Sequence, residues 1–138
     1  MNWQLILTLS LLGVVLGLVS VFGFLGNQIW LLWLCVAAFC AWQFARNTRR
    51  YLFLHGFYLG IFVGVCASWV QAIFLPAYLS NNPRMAEVFN NLPHNLHPAY
   101  LLLIMGPIVG TVSGVVVGLF AIIAGKIARG PVSDSPGF

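Results

Sequence analysis

Apolar residues run along the chain in four long blocks, 3–24, 29–45, 51–75 and 99–128, separated by short polar stretches. Each block is close to or above the roughly 20 residues needed to cross about 30 Å of bilayer hydrocarbon. The second is the shortest. The fourth would reach about 45 Å at 1.5 Å per residue and has length to spare. Gly26-Asn27-Gln28 turns the chain after the first block, residues 46–50 form a tight polar loop after the second, and Pro76 closes the third. The pattern predicts an all-α integral membrane protein, with four transmembrane helices in two antiparallel hairpins. These form one domain over 1–129, and the Pro-, Ser- and Gly-rich stretch 130–138 reads as a disordered cytoplasmic tail.

The polar interval 76–98 has a pattern of its own. Asn82-Pro83 reads as an N-cap followed by a first-turn proline. Met85, Val88, Phe89 and Leu92 then fall at i, i+3, i+4 and i+7, one face of a helix. A short amphipathic helix lying on the outer membrane surface is expected here, stopped by Pro93.

Small residues form ladders inside the apolar blocks. Gly56, Gly60, Gly64 and Ser68 recur every fourth residue in the third span, and Gly106, Gly110, Gly114 and Gly118 do so in the fourth. In lipid there is no hydrophobic drive between helices, so close backbone approach at small residues supplies the packing energy. The first span carries Ser10, Gly13, Gly17 and Ser20 on one face, and the second carries Ala37, Ala41 and Ala45. These are expected helix-packing faces, used either within one bundle or between subunits.

Composition narrows the class. The 138 residues are 61% hydrophobic and 6% charged, with a formal net charge of +4. An ordinary soluble domain is about 25% charged, and a disordered chain is far less apolar. The cations cluster at helix ends rather than along a stripe, which excludes a nucleic-acid partner. Arg46, Arg49, Arg50, Lys126 and Arg129 fall on one side of the predicted topology, and only Arg84 falls on the other, beside Glu87. The excess of cations on cytoplasmic loops places both termini inside. The expected location is a bacterial inner membrane. Trp3, Trp42 and Tyr51 then mark the inner interface and Trp30, Tyr78 and Tyr100 the outer one.

Candidate chemistry is sparse. Glu87 and Asp134 are the two acidic residues, on opposite sides of the predicted membrane, so they cannot act as a carboxylate pair. No phosphate loop, nucleophile elbow or dinucleotide fingerprint occurs, and no enzyme activity is expected. Cys35, Cys40 and Cys66 lie within apolar blocks and read as small buried hydrophobes. His94 and His97, with Glu87, are one carboxylate and two histidines interrupted by prolines. They fall short of a zinc set, so neither metal nor cofactor is expected. His55 is expected at headgroup level.

The candidate polar groups within spans are Ser68, Gln71, Thr111 and Ser113, which either bond helices together or line a polar path. Gly106-Pro107 is expected to bend the fourth span near residues 103–107, because proline frees the Leu103 carbonyl. Two functions fit. The first is a small non-enzymatic membrane protein acting through helix packing, as a self-assembling bundle or an accessory subunit. Its partners are the lipid bilayer and either further copies or another membrane subunit. The alternative is a channel or facilitator for a small or uncharged solute, gated at Gly106-Pro107, with Gln71, Thr111 and Ser113 as its polar path.

Overall fold

The computed structural model describes residues 2–48, 50–93 and 96–129, and all regular structure among them is helical. The helices are α1 (Trp3–Phe22), α2 (Ile29–Asn47), α3 (Leu52–Ile73), α4 (Leu75–Asn81), α5 (Pro83–Asn90) and α6 (Pro98–Arg129), with a 3-10 turn at Gly26–Gln28 between α1 and α2. Among the described residues α1, α2, α3 and α6 are long and apolar enough to cross a membrane.

Local chemistry sets the boundaries. α1 begins where the Asn2 side chain accepts the Leu5 N–H at 3.2 Å. It stops at Phe22, two residues early, because Gly23 takes a left-handed conformation (φ 64°) and returns its N–H to Val19 and Ser20 carbonyls. α2 runs two residues further than expected, to Asn47. α3 ends at Ile73, and a single residue separates it from α4. α4 is absent from the sequence expectation, which took Pro76 as a stop. Pro76 instead lies in the first turn of α4, where a missing N–H costs no helix hydrogen bond.

α5 occupies the expected residues but not the expected setting. Phe89 is 7% exposed and joins Val21, Val70, Tyr78 and Leu102 in a compact cluster. The Phe89 face of α5 therefore seals one end of the bundle. Asn82 does not cap α5 with its side chain. Its Nδ2 donates to the Ser20 and Tyr78 carbonyls at 2.9 Å each, and Asn81 Nδ2 donates to Val21 O at 3.0 Å. Two asparagines thus satisfy carbonyls at the end of α1 that have no partner within that helix.

α6 is one uninterrupted α-helix of 32 residues with Pro107 inside it. At 1.5 Å per residue it is about 48 Å long. α3 and α6 make the dominant pairing, α1 packs chiefly on α3, and α2 chiefly on α6. Of the two expected hairpins, the α3–α6 pair is packed along its length, whereas α1 and α2, consecutive in sequence, touch little. A large core fills the half that contains the start of α1 and the end of α2, around Ile6, Cys40, Phe44, Leu59 and Ala121. His55 meets Asn2 and Phe44 there, and Gly125 faces Leu52. Arg46, Arg50 and Lys126 lie toward this basic end, and α4 and α5 close the opposite, loop end. Tyr78, expected at an interface, is 6% exposed and belongs to the loop-end core.

Candidate functional site

Close approach between α3 and α6 shapes everything around it. A Cβ added at Gly56 would come within 2.6 Å of Gly118 Cα, and one at Gly64 within 2.6 Å of Gly110 Cα. At Gly60 it would strike the Gly114 backbone, and at Gly106 the Ser68 hydroxyl. The two four-residue lines of small side chains therefore lie against each other within one chain, running antiparallel. α1 closes on the next face of α3 by the same means. A Cβ at Gly13 would sit 2.7 Å from Val63 O, and one at Gly17 would sit 2.9 Å from Val70 Cβ.

α2 lacks glycine altogether. It meets α6 through the basic half, where Ala37, Cys40 and Ala41 are buried. Toward the loop end its first residues instead form one wall of a groove of about 560 Å³. Ile29, Trp30 and Trp33 make that wall. α1 and α3 supply the back through Leu16, Val63, Gly64 and Ala67, α6 supplies Leu102 and Met105, and α5 roofs it with Met85 and Phe89. Trp30, Val88, Met105 and Val109 are about half exposed and mark the open side.

Polar atoms gather at the loop end of this groove. Gln71 Nε2 donates to Ser20 Oγ at 3.0 Å, and the Ser20 hydroxyl is also hydrogen-bonded to Tyr78. Burial pushes the Tyr78 phenol above its ordinary pKa, with the Ser20 bond acting weakly the other way, so the group is a neutral donor and acceptor. Ser68, deeper, returns its hydroxyl to Val65 O at 2.9 Å. Ser113 lies at the bottom with Gly60. Among the described residues no Asp, Glu, Lys, Arg or His lines the groove. Below it the bundle is filled, and Ile6, Phe44, Leu59 and Ala121 are essentially inaccessible.

The residues singled out from the sequence therefore separate. All eight ladder positions meet across α3 and α6. Gln71 and Ser113 share the groove, but Thr111 does not join them: it is exposed and donates to Pro107 O at 2.8 Å. The helix does not break at Gly106-Pro107. Gly106 is buried against Ser68 and the Gly64 carbonyl while Pro107 points outward, so packing on α3 carries the backbone through the missing hydrogen bond. His55 is turned into the bundle rather than outward, and it meets helix starts. It is 1% exposed, its Nε2 accepts the Asn2 N–H at 3.0 Å, and its Nδ1 faces Tyr51 O at 2.8 Å. His97 Nδ1 accepts the Ala99 N–H at 3.2 Å, at the start of α6. His94, Arg49 and the tail 130–138 lie outside the described residues, among which no group of three metal-ligating side chains occurs.

Sequence reading missed the Ser20–Gln71–Tyr78 cluster and the aromatic wall at Trp30 and Trp33. A signal for the first existed. Ser20 and Gln71 each lie two residues before the end of their helices, so two parallel helices bring them to one depth. Compared with family models, curated proteins and solved structures, the chain matches none.

Proposed function

We propose that this chain is a small non-enzymatic multi-pass membrane protein that acts through helix packing, as an accessory subunit of a membrane complex. The observation that supports this reading over a self-assembling bundle is the burial of both glycine ladders against each other within one chain. A ladder already used inside the bundle is not available to a second copy. What is left for a partner or for lipid is the outer surface, where Leu11, Val15, Phe39, Val112 and Ile123 are exposed. The location consistent with the cation pattern is a bacterial inner membrane, with the basic end cytoplasmic.

The test is the mass of the detergent-solubilised protein, measured by light scattering alongside thermal melting. The accessory reading expects one copy per particle, and expects Gly60→Leu and Gly114→Leu to lose the folded monomer itself. Overpacking ordinarily costs about 1–3 kcal/mol, and here the obstacle is backbone that cannot turn aside. An oligomer that dissociates into well-folded monomers on either substitution would place the ladders between copies and overturn the reading.

A facilitator for a small uncharged solute is the second reading, favoured by Gln71 and Ser113 within the groove. It requires a path through the filled basic half, and it no longer has a broken helix to serve as a gate. Solute-dependent swelling of liposomes containing the protein would establish it.

A further inference from the structure

The groove has one polar end and an apolar length, and that shape selects an occupant. Gln71 lies eleven positions beyond Gly60 along α3, about 16 Å at 1.5 Å per residue. Half of a bilayer's hydrocarbon core is about 15 Å, so the groove is as deep as one leaflet. Ser20 and Gln71, near the ends of their apolar helices, fall where a headgroup begins. Gly60 and Ser113 fall near mid-membrane, and the packed core below ends the groove there.

A partner helix, about 10 Å across, would pack over the mouth of the groove, whereas a single extended chain fits down its length, where the volume is about 560 Å³. That volume lies within the range of about 300–1,000 Å³ usual for small-molecule sites.

We propose that this groove binds a single-chain lipid with an uncharged hydrogen-bonding head, the head against Ser20, Gln71 and Tyr78 and the tail running down past Trp33 and Met105 to Gly60. An uncharged head is favoured because none of the described residues lining the groove is ionic and an unpaired charge there would be costly. Hydroxyl, ester and amide heads match a side-chain amide and two hydroxyls that both donate and accept. The lipid enters through the side marked by Trp30 and Val109, which opens outward between α2 and α6. The inference requires only that the four apolar helices lie in a bilayer; it does not depend on the accessory role.

The test uses the full chain in phosphatidylcholine nanodiscs with a long-chain fatty alcohol that carries a photoreactive diazirine in its tail. Labelling at Met105 and Ser113 is expected to saturate and to be competed by unlabelled monoacylglycerol. A fatty acid or alkylammonium of equal length should compete several times less well. Val112, exposed on α6 and away from the groove, reports ordinary bilayer contact and should label without saturation. Ser113→Phe fills the bottom of the groove and should abolish the saturable label. Gln71→Leu keeps the apolar volume and removes the head's partner, so it should weaken binding about fivefold, the worth of one ordinary hydrogen bond. Gln71→Leu decides the matter if Ser113→Phe does not fold. Labelling at Met105 that rises as at Val112, equal competition by charged amphiphiles, or unchanged affinity in Gln71→Leu would each overturn the proposal.

Discussion

His55 shows how much of a residue's surroundings sequence position alone leaves out. It follows the basic loop by five residues, yet its ring lies beneath the start of α1 and against Phe44, with centroids 5.4 Å apart. Its two nitrogens face a donor, the Asn2 N–H, and an acceptor, the Tyr51 carbonyl. The histidine therefore joins the first turn of α1 to the first turn of α3. His55→Leu keeps much of the packing but leaves the Asn2 N–H without its acceptor. Losing a part-buried bond of this kind costs about 1–3 kcal/mol. A reversible denaturation series in mixed micelles should show a loss of that size, and an unchanged midpoint would mean that water replaces the ring. Glycines differ just as sharply among themselves. Gly26 needs its flexibility for a positive φ of 48° with nothing near it, whereas Gly60 needs only the absence of a Cβ beside Gly114. The first is a conformational requirement and the second a steric one.

Among the elements, α6 and α5 depart most from what their sequences suggest. Pro107 removes an N–H that the Leu103 carbonyl would otherwise receive, yet α6 continues through it. The Gly106 side of the helix is clamped on α3 and the proline ring projects away from the bundle. Pro107→Ala is therefore expected to restore one helix hydrogen bond, fold normally and melt no lower than the parent. A variant that failed to fold would give the proline a structural role that its exposed position does not explain.

In α5, Phe89 and Val88 are neighbours with opposite fates, 7% and 51% exposed. Phe89→Ala should cost about 3–5 kcal/mol, typical of a buried aromatic truncated in a core. Val88→Ala should stay within about 0.5 kcal/mol, as surface changes usually do. Equal effects would mean that α5 is not docked by its Phe89 face. The periodicity of Met85, Val88, Phe89 and Leu92 was enough to find this helix. It did not say which partner takes the apolar face, because lipid and a bundle end are equally apolar.

At the scale of the whole molecule, the order of packing matters more than the order of the chain. α3 and α6 meet although α4, α5 and a polar stretch intervene, and α1 sits on α3 rather than on α2. Glycine placement accounts for this. α1, α3 and α6 offer glycine faces, and the backbones that can approach most closely gain the most dispersion energy. α2, with alanine as its smallest residue, packs along only part of its length, and the groove opens where it does not. The proposed orientation has its own check. A phosphatase reporter joined after Phe138 should be inactive and a fluorescent cytoplasmic reporter at the same point active; the reverse pattern would invert the topology.

The four spans, the loop helix and the clustering of cations at one end are all legible in residue order. They depend on local periodicity and on transfer from water, and each is a property of a short segment. Even the ladders are legible as ladders. Their pairing is not, since spacing at four residues marks a face without naming what it meets. The same limit explains the site. Ser20, Gln71 and Tyr78 come from α1, α3 and α4, and the Trp30–Trp33 wall from α2. Nothing in any one segment states that they surround a common space. That space exists because three helices close on glycine and the fourth cannot follow them to the loop end, an outcome decided by steric fit among all four.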